Sequence, residues 1–110
     1  MNNVLEIETE INQIKERFIT ALAPLKIYLF GSYAEGTASE RSDLDFYIIV
    51  ADDTRNVVDL TVEAYGAIRE VQRRAVDIII GTKSKFERRK NRLSIENEVM
   101  EKGVLLYGTE

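Results

Sequence analysis

A small α/β domain is what this sequence predicts, on three observations. Helix-period apolar stripes alternate with short apolar runs, the runs are rich in β-branched and aromatic residues, and glycine or proline stands at most of the junctions. The first stripe is Leu5, Ile7, Ile11, Ile14, Phe18, Ala21 and Leu22, at helical spacing with charges between, so Val4 to Leu22 reads as an amphipathic helix that Pro24 ends. Lys26 to Phe30 is a buried strand stopped at Gly31. Ser32 to Gly36 holds one helical turn, and Thr37 to Ser42 is a polar loop. Leu44 to Val50 is apolar on both alternating faces apart from Asp45, as in an interior strand covered by helices. Asp52-Asp53-Thr54 caps a second helix with the stripe Val57, Leu60, Thr61, Ala64, Tyr65, Ile68 and Val71, ending at Arg73-Arg74. Ala75 to Ile80 is a third strand. After a basic segment, a helix through Ile95, Val99 and Met100 ends at Gly103, and Val104 to Tyr107 reads as a last strand. The pattern suits two layers and leaves the strand order open.

Composition narrows the chemistry. With 110 residues, 45% of them hydrophobic, and no repeat or low-complexity stretch, one domain over residues 1–110 is expected. No apolar run is long enough to span a bilayer, and Met1-Asn2-Asn3-Val4 leads into acids rather than into a basic-then-apolar secretory pattern, so a cytoplasmic protein without a membrane partner is expected. There is no Cys and no His. Thiol chemistry, imidazole bases and cysteine- or histidine-ligated metals are excluded, and catalysis must rest on carboxylates, hydroxyls, Lys or Arg. A net charge of −4 argues against direct nucleic-acid binding through a basic surface. The charge is uneven, however: Lys83 to Arg92 carries +5 and the remainder −9, which marks a candidate partner surface.

Asp43 and Asp45 stand two apart at a strand start, so their side chains leave one face with Cα atoms roughly 6.5 to 7 Å apart. Two hard oxygen donors so placed suit magnesium. Ser-Asp before a strand is also turn chemistry, which leaves Asp43 two readings. Asp45 interrupts an apolar run and needs compensation, by a metal or by a cation such as Arg41. Asp77 repeats the anomaly in Ala75 to Ile80, with Arg73 or Arg74 as alternative partners. If the two strands are neighbours, about 4.8 Å apart, Asp77 faces the pair. Three carboxylates together repel unless divalent cations lie between them, the arrangement of two-metal phosphoryl-transfer sites. In such a site Asp77 can also receive the proton of an attacking hydroxyl. Gly31-Ser32, between a strand and a helical turn, lets backbone N–H groups and a hydroxyl meet a phosphate, although an ordinary turn accounts for the dipeptide alone.

Gly31-Ser32, ten intervening residues and Asp43-Leu44-Asp45, followed by Asp77, resemble the signature of the polymerase-β-type nucleotidyltransferases. The stretches Gly31-Ser32-Tyr33-Ala34-Glu35-Gly36-Thr37 and Arg41-Ser42-Asp43-Leu44-Asp45 most resemble the minimal nucleotidyltransferase (MNT) branch, over essentially the whole chain. The resemblance implies a small two-layer fold with a short mixed β-sheet packed with helices. It implies that Gly31 and Ser32 contact the nucleotide and that Asp43, Asp45 and Asp77 hold magnesium, in all as two ions, and carry catalysis. Members of this branch stand beside a HEPN-domain RNase toxin and act as its antitoxin. The activity implied is transfer of AMP from ATP to a tyrosine hydroxyl of that toxin. Two other readings stay open: a non-catalytic antitoxin that neutralises by binding, and a small-molecule or RNA nucleotidyltransferase whose acceptor site forms in a homo-oligomer.

Overall fold

The computed structural model describes residues 4–108, so Met1–Asn3, the start of the stretch without a secretory pattern, lies outside the described residues. Helix α1 (Val4–Leu22) buries Ile14, Phe18 and Leu22, the inner edge of the expected stripe. It ends where Ala23 takes the left-handed conformation, φ 46°, directly before Pro24. Strand β1 (Lys26–Phe30) runs to Gly31, helix α2 (Ser32–Glu35) is a single turn, and strand β2 (Leu44–Val50) follows a polar loop. Helix α3 (Val57–Ala67) then crosses to strand β3 (Val76–Thr82). Helices α4 (Lys83–Arg89) and α5 (Ile95–Lys102) precede strand β4 (Val104–Tyr107).

The four strands form one sheet in the order β3-β2-β1-β4. β1 lies antiparallel to β2 and β4, whereas β2 and β3 are parallel, so the sheet is mixed. The parallel pair needs a crossover, which α3 supplies. Two registers bring the acidic residues together: Phe30 stands opposite Asp45, and Asp45 stands opposite Asp77.

Because side chains alternate across a strand, each strand feeds two cores. On one face Ile27, Leu29, Leu44, Phe46, Ile48 and Val50 pack with Ile78 and Ile80 against Phe18 of α1 and Leu60 and Ala64 of α3. Phe18 and Phe46 meet edge to face, centroids 5.3 Å apart. On the other face Tyr28, Phe30, Tyr47 and Ile49 pack against Phe86 of α4 and Val99 of α5. Burial on both sides is why β2 reads as a continuous apolar run. Asp45 and Asp77 belong to this second face, beyond the cover of the short helices; Asp45 is half-buried and Asp77 exposed. The sheet and its layer of long helices match the expected α/β arrangement, and α4 with α5 adds cover on the opposite side.

Several local expectations change. Asn56, not the Asp52-Asp53-Thr54 run, caps α3, accepting from the N–H of Val58 at 2.7 Å. Asp52 instead accepts from Ser84 N–H at 2.9 Å and tethers the start of α4. α3 stops at Ala67, short of Arg73-Arg74, because that pair is drawn to α1. The basic segment is itself helical, capped by Thr82, and Ser94 caps α5. Asp77 is not buried, because β3 is an edge strand.

Candidate active site

Gly31 leaves β1 with φ 76° and ψ −157°, a conformation that side chains other than hydrogen rarely tolerate. The antiparallel register places this backbone directly over Asp45, and a Cβ on Gly31 would lie 2.3 Å from Asp45 Oδ2. Glycine is therefore required twice, for the turn and for the carboxylate beneath it. The carbonyl of Gly31 accepts from Glu35 N–H at 3.0 Å, and Ser32 carbonyl accepts from Thr37 N–H at 3.0 Å, which closes the turn of α2. The first N–H groups of a helix have no partner within it, so the Gly31-Ser32 corner presents donors beside the acid.

Asp43 immediately precedes β2, where Leu44 N–H donates to the Ala75 carbonyl at 3.0 Å and ties the strand start to the strand carrying Asp77. The turn ahead of it is built by Ser39 and Ser42: Ser39 N–H donates to Ser42 Oγ at 2.9 Å, and Ser42 N–H to the Ser39 carbonyl at 3.1 Å. The serines therefore build the turn that was the alternative reading of Asp43.

Asp45 stands opposite Asp77 in the parallel register, and the Asp45 carboxyl is pushed up to about 6. Burial is the largest cause; the charges of Asp77 and Asp43 follow, with a smaller contribution from Glu98 on α5. Among the described residues, no ion pair joins Asp43, Asp45 or Asp77 to Lys or Arg. The alternative partners are engaged elsewhere or exposed. Arg74 pairs with Glu10 at 2.7 Å, Arg73 gives its backbone N–H to the same carboxylate, and Arg41 is exposed. Among the described residues no three acids stand at the mutual spacing of a closed metal cage. The donor set nevertheless fits magnesium. It consists of hard carboxylate oxygens whose mutual repulsion already raises a proton affinity, and a divalent cation relieves that repulsion.

A second buried network lies behind this centre. Tyr47, two residues along the same face of β2, donates to Glu96 Oε2 at 2.8 Å, and Arg89 Nε donates to Glu96 Oε1 at 2.9 Å. Glu96 is 1% exposed; burial opposes its charge, yet the Arg89 and Tyr47 hydrogen bonds hold its carboxyl below the ordinary value. Burial and the same carboxylate push the Tyr47 phenol far above its usual range. Gly81 makes room for that hydroxyl, since a Cβ there would lie 2.1 Å from it. The network docks α4 and α5 on the sheet and so brings Glu98 toward Asp45. Sequence reasoning missed Glu96 and Glu98. Only the hydroxyl of Tyr47 inside an apolar strand hinted at a buried partner.

A mixed sheet that gathers three aspartates at one end, beside the Gly31-Ser32 turn, is the arrangement of a nucleotidyltransferase domain. The chain belongs to the nucleotidyltransferase domain family, which it matches over residues 11–106. It is 31% identical over 110 residues to a Methanocaldococcus jannaschii protein provisionally named a protein adenylyltransferase, an alignment that covers 97% of this chain and all of the relative. A solved toxin-antitoxin structure with AMP-PNP superposes with a TM-score of 0.61 at 25% identity, covering 90% of this chain and 73% of that one. The MNT antitoxin bound to a tri-AMPylated Shewanella oneidensis HEPN toxin shares the fold, with a TM-score of 0.55 at 22% identity over 93% of this chain and 72% of that one.

Proposed function

We propose that this chain is the antitoxin of a HEPN-domain RNase toxin and transfers AMP from ATP to a tyrosine hydroxyl of that toxin in the cytoplasm. The observation that carries the proposal is Asp45 lying against Gly31 on one side and opposite Asp77 in the sheet register on the other, with the charge of Asp43 beside it. Support comes from the M. jannaschii relative named for adenylyl transfer to protein and from the toxin-antitoxin structure that holds an ATP analogue.

In this reading Asp43, Asp45 and Asp77 hold magnesium, as two ions, and the backbone of Gly31 with the Ser32 hydroxyl contacts the triphosphate. When bound, the metal stabilises negative charge on the attacking and departing oxygens. Asp77, exposed at the sheet edge, receives the phenolic proton as the tyrosine oxygen bonds to the α-phosphorus. The bond from that phosphorus to the pyrophosphate oxygen breaks, and pyrophosphate leaves. The Gly31-Ser32 corner orients the phosphates for in-line attack, a contribution of placement rather than of chemistry. No imidazole is needed, in keeping with a chain that has no His.

The test incubates the protein with magnesium, each α-labelled nucleoside triphosphate in turn and its cognate toxin, then reads label on tyrosine by mass spectrometry. The expected result is AMP on tyrosine with ATP, and none with Asp45→Asn. Absence of label with every nucleotide overturns the proposal. Toxin neutralisation that survives the Asp43→Asn/Asp45→Asn double substitution gives the role to binding alone.

A further inference from the structure

We propose that Arg74 is a positioning residue that sets the Gly31-Ser32 turn against the Asp43–Asp45 strand start. The proposal rests on the reading of those two motifs as the nucleotide and metal centre. Between them runs a polar loop in which Ser39 and Ser42 bond one another. Residues 73–75, just before β3, reach both sides of it.

The anchor is Glu10 on α1, whose side chain is fully buried. Arg74 Nε donates to Glu10 Oε1 at 2.7 Å, and Arg73 backbone N–H donates to Oε2 at 2.7 Å. A charge removed from water in this way holds its partner firmly, and the guanidinium is fixed in place. The outer arm of the fork is then aimed at the nucleotide turn. Arg74 Nη1 donates to Tyr33 Oη at 2.9 Å, and its guanidinium carbon lies 5.7 Å from the centre of the Tyr33 ring. Tyr33 directly follows Ser32, and its hydroxyl donates onward to the Ser39 carbonyl at 3.3 Å, inside the intervening loop. The third contact is the Ala75 carbonyl, which accepts from Leu44 N–H, the amide between Asp43 and Asp45, at 3.0 Å. One short segment thus touches the residue after Ser32, the spacer loop, and the backbone between the two acids.

Arginine is suited to this by its planar fork, which serves Glu10 and Tyr33 at once, while a lysine ammonium on a flexible stem reaches one of them at a time. Contact with Glu10 alone would be a matter of stability. The second arm, directed at the turn, is what couples the network to the site.

Arg74→Ala would strand Glu10 as a buried unpaired charge, so the test uses Arg74→Lys and Tyr33→Phe instead. Arg17→Ala, which breaks only the exposed pair with Glu70, serves as control. Each protein is held well below its melting temperature. Mn2+ affinity is measured by electron paramagnetic resonance, AMP-PNP affinity by calorimetry, and initial AMP transfer as a function of ATP. Arg74→Lys should weaken Mn2+ and AMP-PNP binding about ten-fold, the size of a lost charge-assisted hydrogen bond. Tyr33→Phe should fall between it and the control, and both variants should raise KM for ATP more than they lower kcat. Wild-type affinities in both variants, with only a lower melting temperature, would overturn the proposal and leave Arg74 a purely structural residue. If the wild-type protein binds Mn2+ and AMP-PNP but transfers no AMP, the functional reading fails while the affinity comparison still decides the role of Arg74. Binding of neither probe overturns both.

Discussion

Asp45→Asn should make the metal-free protein more stable while abolishing AMP transfer. In the folded chain, burial and the neighbouring Asp77 and Asp43 charges move the Asp45 carboxyl from 3.8 to about 6. The folded state therefore holds this proton more tightly than the unfolded state. Below pH 3.8 both states are protonated and the group is neutral in its effect; stability falls as pH rises from 3.8 to about 6 and stays lower above that. At about 1.4 kcal/mol per pH unit, the shift corresponds to at most roughly 3 kcal/mol. Asp45 is only half-buried, and solvent screening reduces this to about 1 kcal/mol. A domain of this size gains roughly 4 to 8 °C in melting temperature from such a change. Thermal melts in chelator should show Asp45→Asn above wild type at pH 7.5, with the gap closing at pH 4. Added magnesium should reverse the order, because ligand that binds only the folded wild type stabilises it by mass action. A wild-type protein as stable as the variant at pH 7.5 in chelator would refute the argument that burial and the neighbouring acids disfavour the Asp45 charge.

Other substitutions test the supporting geometry. Gly31→Ala forces a Cβ into a conformation with φ 76°, 2.3 Å from Asp45 Oδ2, and should cost about 2 kcal/mol in urea unfolding while reducing initial AMP-transfer rates by about 100-fold. Gly81→Ala should destabilise by about 1 to 3 kcal/mol through its clash with the Tyr47 hydroxyl. In a Tyr47→Phe background that penalty should shrink, and a double-mutant cycle by chemical denaturation should return a coupling of about 1 kcal/mol. Glu10→Gln removes the charge that Arg74 faces at 2.7 Å and should lower the unfolding free energy by about 3 kcal/mol, measured by urea titration.

Much of this was legible in the residues because it depended on period and on turn chemistry. The helical stripe ending at Leu22, the strands Lys26–Phe30 and Leu44–Val50, and the final strand Val104–Tyr107 all arise from spacing that local physics enforces. The two aspartates in apolar strands pointed to one another across neighbouring strands, and the register puts Asp45 opposite Asp77. What the residues concealed was set by long-range contact. Asp52-Asp53-Thr54 looks like a cap, but Asn56 stands closer to the helix start and Asp52 finds Ser84 across the fold. Arg73-Arg74 look like a helix end, but the buried Glu10 withdraws them to α1. Glu96 and Glu98 sit on a helix whose charges look solvated. Nothing local says that one of them meets the Tyr47 hydroxyl and that the other adds its charge to Asp45.

The position of the centre within the sheet bears on what can serve as acceptor. Asp45 lies on an inner strand, flanked by the Gly31 backbone on the β1 side and by Asp77 on the β3 side. On the β1 side that backbone leaves little room, since a Cβ at Gly31 would lie 2.3 Å from Asp45 Oδ2. The β3 side is the edge of the sheet, and Asp77 there is exposed. With Asp45 half-buried and Asp77 exposed, an attacking hydroxyl can reach the acids from outside the fold. Such an approach suits a side chain carried on the surface of a second folded protein, which brings its own contacts and needs no enclosing cavity. A free small molecule would gain little there, since tight small-ligand sites bury most of the ligand surface. The edge is also kept from pairing with stray strands: Tyr65 Oη takes the outward N–H of Ile78 at 3.0 Å, so one ladder donor beside Asp77 is already satisfied. An acceptor strand adding to β3 would have to displace that bond. The geometry thus favours delivery of a tyrosine side chain to Asp77 over extension of the sheet, and complex formation should leave the Ile78 amide as protected from hydrogen exchange as it is in the free protein.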